Sequence, residues 1–408
     1  MLSWANQFNI CCFLDNHEYE AKHHSYECIV GAGVQNIFEP ADDFFNSLNQ
    51  FYNTADDWIF GHFNYELKAL SKIESTDHNE IGFPACFLFV PQVVLLLRES
   101  ELVIGVMSGD AASVYEEINN TETTSAPTAK VNIKPKLTKD EYTRKVNELI
   151  EHIKRGNCYE INFCQEFFGY GDIDPKAVFT QLGILSPNPF SAFYKLNDDF
   201  LLCSSPERYL SKSGSSIISQ PIKGTIARSL DSEADELNRQ QLHASKKERS
   251  ENVMIVDLVR NDLSKVCIEG SVEVEELFGI YSFPYVHQMI STISGTLKEN
   301  IGLAEILKAT FPMGSMTGAP KIKVMELIER YEGSKRGIYS GAVGYMSPEK
   351  DFDFNVVIRS IVYNQQTSYI SYHVGSAITF YSNPQQEYEE CLLKAKGISQ
   401  IFAGTSNA

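Results

Sequence analysis

The chain reads as an α+β protein, on three observations. Short apolar and aromatic runs alternate with polar turns through residues 1–118. From residue 138 onward, strand-like runs alternate with segments of helical period. The 408 residues include 20 Tyr and 25 Phe in a chain that is 43% hydrophobic and 22% charged, enough apolar mass for one large domain or two tightly joined ones.

Taken in order, residues 1–118 form an N-terminal α+β region without a chemical motif. Residues 119–137 follow as a linker; its first ten (NNTETTSAPT) are poor in apolar residues and rich in turn formers. Thr138 and Glu141 make a capping box that opens a helix over 142–153, where Val146, Leu149, Ile150 and Ile153 recur at helical spacing and Gly156 stops it. Strands are expected at 200–203, 216–218 and 369–374, and helices at 249–258 and 322–331. The apolar run at 81–97 is broken by Pro84 and Pro91, so it reads as core strands and not as a membrane span.

A net charge of −18 argues against a broad nucleic-acid interface, which needs massed Lys and Arg, but leaves room for an anionic small substrate where a few cations converge. The nine cysteines are scattered and contain no CxxC, so neither a zinc ribbon nor a disulfide framework is expected. Reduced thiols, and a first fifteen residues with no Lys or Arg, point to the cytoplasm. Nucleotide-binding, serine-hydrolase and zinc-protease motifs (GxGxxG, GxxxxGK[ST], GxSxG, HExxH) do not occur.

Two helical segments each carry a Glu-x-x-Glu pair, Glu248 with Glu251 and Glu387 with Glu390. Like charges three apart share a helix face and cost a few tenths of a kcal/mol, roughly, unless something offsets them. A divalent cation completed by water and substrate oxygens would do so, and Mg²⁺ suits such oxygen ligands; either pair alone also fits a solvated acidic face. The run MGSMTGAPK at 313–321 sets small residues and Pro320 before a helix, an arrangement that bares backbone N–H groups to a carboxylate or simply caps a helix. Gly375-Ser376-Ala377 fits an anion-binding backbone or a plain tight turn.

Lys223, in PIKGT, lies between a strand and a Gly turn. To act as a nucleophile it must be neutral, which burial arranges by lowering its pKa from about 10.4 toward about 7 or 8; otherwise it is a surface charge. Glu207 is a general acid if its pKa is raised, or else a partner for Arg208. Arg359 offers a bidentate fork to a carboxylate or ends a strand as a surface charge. Lys394 follows Glu390 by four residues, as an ion pair or as a meeting point of metal and anion. His287 reads as a core histidine or a catalyst.

These segments resemble the chorismate-utilising enzymes. The matching stretches are 205–209, 221–225, 248–262 (ERSENVMIVDLVRND), 281–291, 314–321, 337–345 (GIYSGAVGY), 356–360, 375–377 and 384–396, in family order over about residues 138–405. The resemblance implies an α+β fold of two intertwined subdomains with antiparallel sheets, peripheral helices and an active site between them. It implies that Glu251 and Glu390 bind Mg²⁺ directly, with Glu248 and Glu387 assisting, and that the metal holds the ring carboxylate of chorismate. Arg359, Tyr339, Lys394 and the backbone at Gly375-Ser376 would grip the enolpyruvyl carboxylate, with Ser315 and His287 near the ring.

Within the family, PIKGT is similar to the aminating type that forms 4-amino-4-deoxychorismate for p-aminobenzoate and folate; other types carry a small residue at the position of Lys223. The resemblance then implies that Lys223 attacks C2, that Glu207 protonates the departing C4 hydroxyl, and that ammonia from a glutamine amidotransferase small subunit adds at C4. Anthranilate formation is the alternative activity, and a non-catalytic chorismate- or metal-binding regulatory subunit the alternative from another class. Two departures stand out: Glu160 occupies a position where the family usually has Gln, and residues before about 118 match weakly. Both are expected to touch partner contacts or regulation and not the chemistry.

Overall fold

The computed structural model describes residues 1–19, 23, 26–67, 82–123 and 130–402. Within them, two large antiparallel sheets are flanked by helices, the α+β architecture expected. One sheet has eleven strands and the other ten. Several strands bury both faces, which is why their sequences are continuously apolar and not alternating. Along Ile10–Asp15, Cys11 and Phe13 pack toward helices while Cys12 packs into a separate cluster. Phe193 and Leu202 share the first environment, Tyr194 and Leu201 the second.

Among the described residues the largest apolar clusters are three. One joins the eleven-stranded sheet (Phe163, Phe193, Ile361) to the helices Lys139–Lys154, Pro175–Leu185, Lys321–Tyr331 and Pro384–Phe402. A second joins the ten-stranded sheet (Phe63, Ile217, Ile293) to the helices Phe44–Thr54, Lys246–Ser264 and Leu303–Thr310. A third contains Cys12, Tyr194 and Leu201 from one sheet with Phe60, Phe89 and Val343 from the other, so the sheets pack face to face. The order of layers is helix, sheet, sheet, helix.

Residues 1–118 supply strands to both sheets: Ile10–Asp15 pairs with Phe190–Leu196, and Ile59–Phe63 with Ala342–Met346. Of the expected linker, 124–129 lie outside the described residues, as do 403–405 at the end of the expected catalytic region; Lys134–Pro135 already pairs with Glu160–Tyr170. The apolar run at 81–97 becomes Cys86–Val90 and Val93–Arg98, residue 81 being outside the description. Among the described residues no helix is long and apolar enough to cross a membrane. The capping box at Thr138 and Glu141 is formed, and the helix it opens ends at Lys154 before Gly156.

Three local expectations differ. The strand expected at 369–374 continues through the glycine as Tyr369–Ile378, because Gly375 and Ser376 stay in register with Cys164 and Phe163; no tight turn forms there. Arg359 does not end a strand. It sits at φ +49° between Phe352–Asn355 and Ser360–Asn364. Lys223 lies within the strand Ile222–Ala227, whose pairing with Val286–Thr296 shifts register between Ile222 and Thr225. Gly224, at φ +102°, forms part of that irregularity.

Candidate active site

Glu207 sits in the short connection between the strands Asp199–Ser205 and Arg208–Ser213. Its backbone N–H donates to Ser205 Oγ at 3.1 Å, which turns its side chain into the interior, where it is only 4% exposed. Burial pushes the carboxyl up to about 7. A hydrogen bond from Ser315 Oγ at 2.6 Å and the nearby charges of Lys223 and Arg359 work against that rise. Ser315 is presented by a 3₁₀ turn, Gly314–Met316. The chain then forms the two-residue strand Gly318–Ala319 against Glu160 and Ile161. Gly318 allows that approach, since a Cβ there would lie 2.2 Å from the Glu160 carbonyl oxygen.

Lys223 reaches across to Glu160, its Nζ donating to Oε1 at 2.6 Å, with the lysine side chain 13% exposed and the glutamate 1%. The expectation of a neutral lysine is corrected here. Burial does disfavour the ammonium, but Glu160, Glu251 and Glu207 together outweigh it and raise the lysine above its ordinary value. In the free protein Lys223 is a paired ammonium.

Glu248 and Glu251 project from the helix Lys246–Ser264. Glu251 is pushed up to about 7 by burial and by the like charges of Glu160 and Glu248, against the pull of Lys223 and Lys247. Neither carboxylate has a side-chain hydrogen bond or ion pair among the described residues, so a buried Glu251 and a half-buried Glu248 stand without a fixed partner. That is the electrostatic signature of a position that takes a cation. Glu390, on the helix Pro384–Phe402, is instead paired with Lys394 at 2.7 Å, which brings it below the usual carboxylate range against partial desolvation of a largely exposed side chain. Lys394 Nζ also donates to the Gly375 carbonyl at 3.1 Å. Glu387 is buried on the same helix, near Tyr142. Among the described residues no three His, Cys, Asp or Glu side chains converge tightly enough to hold a metal by themselves. The ligand set that the resemblance implies, Glu251 and Glu390 directly with Glu248 and Glu387 assisting, does not require such a cluster. Carboxylates on Glu248, Glu251 and Glu390 suit an ion that keeps several waters.

Arg359 carries its charge into the same interior. Burial lowers it to about 10, still cationic at neutral pH, and Glu207 is its nearest compensating charge. Its guanidinium has no hydrogen bond or ion pair among the described residues, which leaves its fork open to a carboxylate. Tyr339 has protein partners, and His287 fits the core-histidine alternative. Tyr339 stacks on His373 (5.0 Å between ring centres, 17° between planes), and its hydroxyl is 3.7 Å from Cys164 Sγ. His287 spends both ring nitrogens, Nδ1 with Ser282 Oγ at 2.9 Å and Nε2 with Asp235 at 3.1 Å, and Asp235 is itself paired with Arg228. The structure thus links Glu207, Ser315, Lys223, Glu251 and Arg359 electrostatically, with Glu248 beside Gly224. It gives Tyr339 and His287 other partners.

Two residues matter here beyond those expected. Glu160 faces Lys223, although its departure from the family pattern had suggested a role away from the chemistry. Arg336 is buried and binds Glu332 while donating to the carbonyls of Met316 (2.6 Å) and Asn162 (2.8 Å), tying the Ser315 turn to the strand Glu160–Tyr170. A buried, fully bonded arginine has no periodic signature in sequence.

The fold and these side chains define a class. The chain belongs to the chorismate binding enzyme family, whose model matches residues 7–400. Relatives include a probable chloroplastic aminodeoxychorismate synthase of Oryza sativa subsp. japonica, 43% identical over 267 residues, covering 64% of this chain and 30% of that protein. Another is aminodeoxychorismate synthase component 1 of Salmonella typhimurium, 33% identical over 342 residues, covering 83% of this chain and 75% of that protein. The chain spans under a third of the rice protein's length. The fold matches that of anthranilate synthase component I from Streptococcus pneumoniae with a TM-score of 0.82 at 22% identity, covering 94% of this chain and 95% of that one.

Proposed function

We propose that this chain aminates chorismate to 4-amino-4-deoxychorismate, on the route to p-aminobenzoate and folate, using ammonia delivered by a glutamine amidotransferase partner. The observation that carries the reading is Lys223, held near a Glu207 whose pKa of about 7 lets it be an acid at neutral pH. A small residue at 223 would leave no amine to form a bond to the ring.

In this reading the open fork of Arg359 takes one carboxylate of the substrate. Glu248 and Glu251, joined by Glu390, would hold Mg²⁺, which when bound would supply positive charge to orient and polarise the second carboxylate. Lys223 gives one proton to solvent and, as the neutral amine, forms a bond to C2 while the ring double bonds shift; the amine takes that proton back from solvent after its later release. The C4–O bond breaks and Glu207 gives its proton to the departing hydroxyl, so water leaves. Ammonia then bonds to C4 and the C2–N bond breaks with its electron pair returning to Lys223. The new C4 ammonium returns a proton to Glu207. Two displacements replace one difficult one, the usual advantage of a covalent intermediate. All nine cysteines are buried free thiols, which supports a reducing compartment such as the cytoplasm.

The test is mass spectrometry of the product made from chorismate, ammonium and Mg²⁺ by the purified chain. 4-Amino-4-deoxychorismate without release of pyruvate supports the reading. Anthranilate with pyruvate would move the chain to the other activity, and no turnover would leave a binding subunit.

A further inference from the structure

Glu160 begins the strand Glu160–Tyr170 of the eleven-stranded sheet, while Lys223 lies on Ile222–Ala227 of the ten-stranded sheet. Their 2.6 Å contact therefore bridges the two sheets. The backbone of Glu160 is fixed from the other side, by pairing with Ala319 and by the close passage of Gly318. Its second oxygen, Oε2, is buried and has no hydrogen-bond partner. So its one hydrogen-bonded oxygen is spent on Lys223. A lysine has four rotatable bonds and several acidic neighbours here: Glu251 and Glu248 on one helix, Glu390 on another, and Glu207 in the connection before Arg208–Ser213. Without a fixed acceptor, nothing selects one direction for its amine.

We propose that Glu160 is a positioning residue of this site, whose carboxylate holds the Lys223 amine at one point in the cleft, where it meets the substrate ring. The inference rests on the amination reading above and adds to it a residue that aims the nucleophile. A displacement of about 1 Å can cost about 10²-fold in rate, so the anchor acts on turnover more than on binding.

The experiment compares Glu160→Ala with Glu160→Gln in the full chain. Glu160→Ala should lower kcat for amination by about 10²-fold with the KM for chorismate near that of the unaltered chain. Glu160→Gln retains a carbonyl oxygen as acceptor and should recover most of that loss. Wild-type kcat in Glu160→Ala, or equal impairment in both variants, would overturn the proposal. A second readout needs no substrate: acylation of Lys223 by acetic anhydride at fixed pH, followed by peptide mass spectrometry. Breaking the pair frees the amine, so Lys223 should acylate faster in Glu160→Ala than in the unaltered chain, and equal rates would again overturn it. Should Glu160→Ala not fold, the same comparison is made with Glu160→Gln, where faster acylation is also expected. Acylation reports on the pair whatever product forms, whereas an active Lys223→Ala variant would remove the amination reading alone.

Discussion

Ser315 Oγ donates to Glu207 Oε1 at 2.6 Å, and this bond partly offsets the burial that lifts Glu207 to about 7. A hydrogen bond to the charged form favours that form. Removing it in Ser315→Ala therefore raises Glu207 further, and the acid persists to higher pH. The high-pH limb of the amination rate should move upward by about one unit, as expected from a charge-assisted bond of roughly 1.5–3 kcal/mol, discounted for rehydration. A rate profile that stays in place in Ser315→Ala would show that Glu207 does not supply the proton.

The same burial has a stability consequence. Glu207 is raised from 4.5 to about 7 in the folded chain, so between those values the folded state binds more protons than the unfolded state. Stability contributed by the protonated form is fully present below pH 4.5 and is lost as pH rises through about 7. Glu207→Gln removes this loss. Its melting temperature should exceed that of the unaltered chain above pH 7 and converge with it in acid, while amination falls by about 10²- to 10⁴-fold. Thermal melts across pH decide it; parallel curves would mean that Glu207 is not a buried acid.

Lys223→Ala should abolish most amination yet leave chorismate binding in place, because Arg359 is a separate element with its own open fork. Calorimetric titration with chorismate alongside the amination assay tests this. Full activity in that variant would end the covalent route.

Much of this site was legible in sequence because its parts have local signatures. The capping box at Thr138, the Glu248–Glu251 spacing and the PIKGT lysine can each be read from a few consecutive residues. Glu207 could be named as an acid, but its raised pKa comes from burial, held in check by Ser315, Lys223 and Arg359, and that burial exists only once the two sheets pack. The same limit explains the lysine. Burial alone argues for a neutral amine, and the charge that reverses the outcome stands at Glu160, 63 residues earlier. Arg359 and Gly375 were misplaced for a backbone reason. A left-handed residue between strands and a glycine kept in register leave no periodic trace.

Among the described residues no cation is hydrogen-bonded to Glu251, and the like charges of Glu160 and Glu248 crowd it against the pull of Lys223 and Lys247. Added Mg²⁺ should raise the melting temperature at pH 8 by binding the folded chain only, by an amount that grows with the logarithm of its concentration. Glu251→Gln removes one charged ligand, and the Mg²⁺-dependent rise should shrink to less than half. An unchanged rise in that variant would take Glu251 out of the metal site.

Arg336 tests whether the Ser315 turn is held from behind. The guanidinium is 3% exposed and donates through Nε and Nη2 to Glu332, through Nη1 to the Met316 carbonyl, and through Nη2 to the Asn162 carbonyl. It also lies 4.7 Å from the Tyr65 ring. Replacing it with Met fills much of the volume but leaves Glu332 charged, buried and without its cation, together with two carbonyls without donors. Loss of one partner of a buried pair costs about 3–5 kcal/mol, and urea unfolding of Arg336→Met should show a loss of that order. Pairing it with Glu332→Met removes the stranded charge and should restore part of the stability, because a buried pair exchanged for apolar side chains is often close to neutral. The restoration stays incomplete, since the Met316 and Asn162 carbonyls still lack a donor and the Cys164 N–H loses its acceptor on Glu332. The double variant should remain slow in amination even where it is folded, because the turn that aims Ser315 at Glu207 has lost its tie to the strand. A double variant that recovers both stability and kcat would show that Arg336 serves only its partner glutamate and not the active-site turn.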